Sequence, residues 1–91
     1  MYREIINHYK KDHQQIKLLE ELSEAAASIA RYINEPSAIN LYSAKEELVD
    51  TLSLIEQFFI IHNIKKSEIY LIQETKNERT LQRIKEENDA S

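Results

Sequence analysis

A chain of 91 residues has room for a single domain, and its net charge of −4 disfavours general binding to nucleic-acid phosphates. Apolar residues are 42% and charged residues 31% of the sequence, a mixture typical of a soluble helical protein. The absence of Gly and Cys excludes glycine-rich phosphate loops, disulfides and cysteine zinc sites, and fits a reducing compartment. Because there is no membrane-length apolar run and no signal-peptide pattern, we expect a cytoplasmic protein without a membrane partner.

The first half of the chain predicts a short helix followed by a long one. Residues 1–11 contain enough apolar side chains for a lead-in helix or arm, and polar residues from His8 onward mark a break. The long helix is predicted from Asp12, as its N-cap, to about Asn34, because Pro36 ends it. Its apolar residues step by three and four and predict a packing stripe, here called the apolar seam: Leu19, Leu22, Ala26, Ile29 and Ile33.

The stretch Lys45–His62 is the helix around which the rest of the chain is organised. We expect this helix to begin near Asn40 or Ser43, after a loop over residues 35–40, and to run to about Ile61. Asn63, which tolerates a left-handed backbone, takes the place of a C-terminal glycine after it. One row along it contains Glu47, Asp50, Leu54, Phe58 and Ile61. Carboxylates in line with a packing stripe must be paired, neutralised or metal-bound. Alternatively, the stripe ends near the helix start and leaves them partly exposed.

A last helical segment is predicted from about Lys65 to Glu87, with a bend or break between Thr75 and Thr80 and a frayed tail over residues 86–91. The segments together predict an all-α antiparallel bundle of three to four helices, forming one domain over residues 1–91. The Lys45–His62 helix has more apolar surface than its own chain can cover. We therefore expect identical subunits to complete the core, with a monomeric three-helix bundle as the alternative.

Two acidic pairs, one on each long helix, form the candidate site. Glu21 and Glu24 are three residues apart, as are Glu47 and Asp50, and a short connection between antiparallel helices brings the pairs level. Two carboxylates about 5 Å apart repel by roughly 3 kcal/mol at an effective dielectric of about 20, so the cluster requires protonation or a cation. Four oxygen donors without Cys suit Mg²⁺ or Mn²⁺ rather than zinc. Taken alone, the first pair is a solvated helix face.

Three basic residues are the candidate phosphate ligands: Lys17, one turn before Glu21, and Lys76 and Arg79 on the last segment. Because Mg²⁺ commonly binds substrate phosphates, the implied chemistry is metal-assisted attack of water on phosphorus. An ion-paired surface helix is the alternative for the two residues on the last segment. The histidines give no di-iron site, since none of them has the Glu-x-x-His spacing of a di-iron bundle.

The two acidic stretches read Glu20-Glu21-Leu22-Ser23-Glu24 and Glu47-Leu48-Val49-Asp50. They resemble the Glu-Glu-x-x-Glu and Glu-x-x-Asp motifs of the MazG-like, all-α nucleoside triphosphate pyrophosphohydrolases. The similarity covers roughly residues 14–84 and is greatest to the short, single-domain members found in phages and their bacterial hosts. It implies Mg²⁺-dependent hydrolysis of a ribo- or deoxyribonucleoside triphosphate to the monophosphate and pyrophosphate. It also implies homodimers or homotetramers whose helices complete one another's sites.

The resemblance assigns roles to residues one by one. Glu21, Glu24, Glu47 and Asp50 match the metal ligands, and Glu20 matches the leading acid, whose role stays open. Lys76 and Arg79 match the phosphate-contacting basic pair. No motif carries over for the nucleobase, for which the available candidates are Tyr9, His13 and Tyr42. The alternative from another class is a non-enzymatic helical interaction module, an antitoxin-like partner or a regulatory nucleotide binder, with solvated acids.

Overall fold

The computed structural model describes residues 1–90, and these fold into four α-helices with no strand. The helices are α1 Tyr2–Tyr9, α2 Lys11–Asn34, α3 Ala38–Ile61 and α4 Lys66–Ala90. The all-α class predicted from the sequence is confirmed. Within residues 1–90, none of the helices combines the length and apolar character that a membrane crossing requires.

The break between α1 and α2 lies at a single residue. Lys10 has a φ of 80° and a ψ of 155°, outside the helical region, and this turns the chain between the two helices. Asp12 lies inside the first turn of α2, so its prediction as the N-cap is wrong. A negative side chain in that turn is still favourable, because the amino-terminal end of a helix carries partial positive charge.

The connection between α2 and α3 is shorter than predicted. Ser37 has an extended backbone, and its Oγ accepts a 3.1 Å hydrogen bond from the backbone amide of Asn40, so Ser37 is the N-cap of α3. The predicted caps at Asn40 and Ser43 are therefore wrong. At the other end of α3, Asn63 has a φ of 54°, which confirms the predicted left-handed residue.

Helices α2 and α3 form an antiparallel pair packed along their length. Gln14 near the start of α2 contacts Gln57 near the end of α3, whereas Glu21 contacts Thr51. Small buried side chains, among them Ala25 and Ala44, let the two backbones come close. Helix α1 packs across the end of this pair. The pair is thus the frame that positions the acidic residues.

The face of α2 that contacts α3 is not the apolar seam. Leu19 and Ile33 are 67% and 69% exposed, and the other members of the seam are exposed as well. The buried residues of α2 lie on its more polar face: Gln14, Glu21, Ala25 and Ser28. The physical reason is that small side chains and internally satisfied amides allow that face to pack closely, while the described part of the chain supplies no helix to cover the seam.

Helix α4 projects away from the other three and packs along none of them within residues 1–90. Its side chains are exposed, apart from the partly covered Ile69 near its start. The radius of gyration is 17.3 Å, against about 12 Å for a compact chain of this length. The helix continues through Thr75–Thr80, so the predicted break is wrong, and it extends over residues 86–90, where fraying was expected. Ser91 lies outside the described residues.

Candidate metal centre

Three acidic side chains meet at the interface of α2 and α3. One carboxyl oxygen from each of Glu21, Glu47 and Asp50 lies within 4.8 Å of the other two. Glu21 is buried, Glu47 is half-buried and Asp50 is exposed, so the cluster runs from the helix interface to the surface. The structure therefore brings one acid of the first predicted pair together with both acids of the second.

Two oxygens of this cluster are buried without a hydrogen-bond partner. They are Oε2 of Glu21 and Oε2 of Glu47, each unpartnered among the described residues. Glu21 as a whole is 6% exposed, and its other carboxyl oxygen lies 3.5 Å from Nζ of Lys17. A buried carboxylate with an unsatisfied oxygen is unfavourable unless it is protonated or meets a cation.

Glu24 lies beside the three-residue cluster and acts on it through its charge. Burial is the main cause that raises the pKa of Glu47 above the ordinary value of 4.5. Contact with the Glu21 carboxyl raises the pKa further, as do the negative charges of Glu24 and Glu21. All four predicted metal ligands are therefore in or next to one acidic cluster, and Glu24 is exposed.

The donor set fits a hard divalent cation. Carboxylate oxygens from two helices, two of them buried and without a partner among residues 1–90, are the ligands that Mg²⁺ and Mn²⁺ prefer. The exposed side at Asp50 leaves room for water or a phosphate oxygen, which Mg²⁺ usually keeps in its coordination shell. Glu21 and Glu47 would hold such an ion from the interior, and Asp50 from the solvent side.

Lys17 is the basic residue that the structure places at the cluster. Its Nζ lies 3.5 Å from Oε1 of Glu21 and 3.8 Å from Oε2 of Glu20, and its side chain is about half exposed. Glu20 is exposed and lies outside the three-acid group. Glu20 thus contacts Lys17 at the surface and does not join the three-acid cluster.

Lys76 and Arg79 are not brought to the acids within this chain. Both lie on the exposed length of α4, which packs along neither α2 nor α3 in the part of the chain that the structure describes. Of the nucleobase candidates, Tyr9 stacks on His13 with ring centres 5.3 Å apart, and Tyr42 is exposed. A contact from α4 to the acids would have to come from another subunit.

Sequence reasoning missed two polar contacts that hold the acid-bearing helices together. Thr51 donates from its buried hydroxyl to backbone carbonyls on both helices, at Glu47 (2.7 Å) and Glu21 (3.2 Å). Gln14 donates a 2.8 Å hydrogen bond to Gln57, and both side chains are buried. The available signal was spacing, since Thr51 and Gln57 each lie three residues from the buried Leu54.

Comparisons of the chain with protein-family models, with curated protein sequences and with solved structures give no significant match. The fold and the site therefore define the protein only in physical terms, as an all-α protein with a carboxylate cluster between two antiparallel helices. A function has to be argued from the residues of this cluster and from the sequence around them.

Proposed function

We propose that the protein is a Mg²⁺-dependent nucleotide pyrophosphohydrolase, which cleaves a nucleoside or deoxynucleoside triphosphate to the monophosphate and pyrophosphate. The observation that carries this proposal is the cluster of Glu21, Glu47 and Asp50, in which two buried oxygens have no partner among the described residues. The resemblance of the two acidic stretches to the MazG-like pyrophosphohydrolases supports the same reaction. We place the protein in the cytoplasm, where nucleoside triphosphates are abundant.

A Mg²⁺ ion bound here would withdraw charge from phosphate oxygens and favour attack by water on the α-phosphorus. In that reaction a water oxygen bonds to the α-phosphorus while the bond to the pyrophosphate oxygen breaks. One carboxylate of the cluster accepts the proton that the water loses. Lys17 sits at the rim beside Glu21, where its positive charge can contact a phosphate oxygen of the substrate.

The proposed enzyme is a homodimer or homotetramer. The apolar seam of α2 is exposed, and α4 carries further exposed apolar residues, among them Leu71, Ile72, Leu81 and Ile84. Exposed apolar surface on this scale is typical of an association face. In such an assembly α4 of one subunit packs on its neighbour, and Lys76 and Arg79 bind the phosphates of a substrate held at the neighbour's acids.

The test is a product assay. The purified protein is incubated with Mg²⁺ and a panel of standard and modified nucleoside triphosphates, and the products are separated by chromatography. We expect monophosphate and pyrophosphate from at least one substrate, with no turnover in a chelator. Glu47→Gln and Asp50→Asn should each abolish turnover and keep the helical circular dichroism, with Glu46→Gln as the control. Normal hydrolysis by the first two variants, or orthophosphate as the sole product, would contradict the proposal.

A second candidate function is supported by a different surface. An open groove of about 620 Å³ lies between α3 and the first turns of α4, with a largely apolar lining that includes Leu52, Ile55, Phe59 and Ile69. Grooves of this kind accept the apolar face of a helix. A non-enzymatic interaction module would use this groove and leave the acids without a metal ion or a substrate. In that case the protein would bind a helical partner and hydrolyse none of the triphosphates.

A further inference from the structure

One buried hydroxyl joins the two helices at the acids. Thr51 is 4% exposed, and its Oγ1 lies 2.7 Å from the carbonyl of Glu47 on its own helix and 3.2 Å from the carbonyl of Glu21 on α2. The hydroxyl has a single hydrogen, so the two carbonyls share it. Both acceptors belong to the residues whose Oε2 atoms are buried and have no hydrogen-bond partner in the part of the chain that the structure describes.

The second acceptor distinguishes Thr51 from the other helical threonines that bond back to their own helix. Thr75 and Thr80 on α4 donate to the carbonyls four residues before them, at 2.9 Å and 3.0 Å, and both are exposed. A bond of that kind is common and bears on one helix only. Thr51 makes the same contact and also reaches α2, so it fixes how far apart the backbones of Glu21 and Glu47 lie.

We propose that Thr51 is a positioning residue of the metal centre, a role that rests on the proposed Mg²⁺ site. Its hydroxyl holds the backbones of Glu21 and Glu47 at the separation at which their carboxylates share one ion. The ligands of a metal site must lie within about 0.5 Å of their binding positions. Loss of a group that orients a ligand typically lowers metal affinity by about 10- to 100-fold. Removal of the hydroxyl should therefore weaken metal binding in a protein that still folds.

The test uses Mn²⁺, whose free concentration is measured by electron paramagnetic resonance during titration of the full chain. Thr51→Val keeps the side-chain shape and removes the hydroxyl, and it should bind Mn²⁺ about tenfold more weakly. Thr51→Ser restores the donor and should bind as the wild type does. Thr51→Ala repeats the loss of the hydroxyl without an added methyl group, in case the valine variant does not fold.

Two control variants separate positioning from general loss of packing. Ser28→Ala removes a buried hydroxyl that donates within its own helix, to the carbonyl of Ala25, and should keep wild-type affinity. Gln57→Leu breaks another contact between α2 and α3, about 15 Å along α3 from Glu47, and should lower stability without changing affinity.

The outcomes are distinct. The positioning role is supported if Thr51→Val binds Mn²⁺ more weakly, Thr51→Ser restores the affinity, and both control variants bind as the wild type does. Equal affinity in Thr51→Val and the wild type overturns it while the metal site stands, as does a serine variant that binds no better than valine. A wild-type protein that binds no Mn²⁺ overturns the proposed function, and the role of Thr51 falls with it.

Discussion

Glu21 and Glu47, on neighbouring helices, each turn a carboxyl oxygen into the α2–α3 interface, and neither oxygen has a hydrogen-bond partner among the described residues. Burial raises the pKa of Glu47, and so does the neighbouring carboxyl group of Glu21. Without a bound cation the two acids therefore work against the fold that brings them together. Protonation or a divalent ion relieves the same repulsion, which connects stability, pH and metal binding.

The first prediction concerns pH. The pKa of Glu47 is raised above 4.5 in the folded protein. At pH values between 4.5 and this raised pKa, the folded state therefore holds more protons than the unfolded chain. In a chelator, the free energy of unfolding should fall as pH rises above 4.5 and through the raised pKa. Denaturant titrations at several pH values should show this loss in the wild type and in the control Glu46→Gln. A wild-type slope retained in Glu47→Gln would contradict it.

The second prediction concerns the buried amides. Gln57→Leu leaves the donor of Gln14 without its partner inside the α2–α3 interface, and should cost about 1–3 kcal/mol of unfolding free energy. Replacement of both glutamines by leucine should recover most of this loss, because no unpaired polar group is then buried. Gln82→Leu, on the exposed α4, is the control and should change stability by less than about 0.5 kcal/mol. A double variant less stable than the single one would refute the prediction.

The contrast between the two faces of α2 shows what the sequence could predict. The all-α class and the meeting of Glu21 with Glu47 and Asp50 could be inferred, because helical spacing and a short connection restrict where those residues lie. The face of α2 that contacts α3 could not be inferred, because periodicity identifies an apolar stripe without showing what covers it. The contact face depends on small residues such as Ala25 and on amide and hydroxyl bonds that only a known register reveals.

The third prediction concerns subunit association. Leu19→Glu places a charge in the exposed apolar seam of α2 and should dissociate the proposed oligomer, because a buried unpaired carboxylate is unfavourable at an interface. Sedimentation velocity should then report the mass of one chain. Ala27→Glu adds the same charge on the face of α2 away from both the seam and α3, and should keep the oligomer. Equal masses for Leu19→Glu and the wild type would exclude the seam as the interface.

The fourth prediction concerns Lys76 and Arg79. Their helix does not reach the acids of its own chain, so they should act on the site of a neighbouring subunit. Subunits with Glu47→Gln and subunits with both Lys76→Met and Arg79→Met should each be inactive alone. Co-expressed in a dimer, they should regain about a quarter of the wild-type rate, because some sites then combine intact acids with intact bases. Mixed dimers without activity would show that the site is not shared.

The final prediction tests the cation site itself, by thermal unfolding of the wild type and of the double variant Glu47→Gln/Asp50→Asn, with and without Mg²⁺. A ligand present at about 100 times its Kd for the folded state adds about 2.7 kcal/mol, so at that ratio of Mg²⁺ to Kd the wild-type Tm should rise by roughly 10 to 20 °C. The variant should show no rise, and NaCl of equal ionic strength should not replace Mg²⁺. A wild-type Tm unchanged by Mg²⁺, or an equal rise in the variant, would contradict a cation site between α2 and α3.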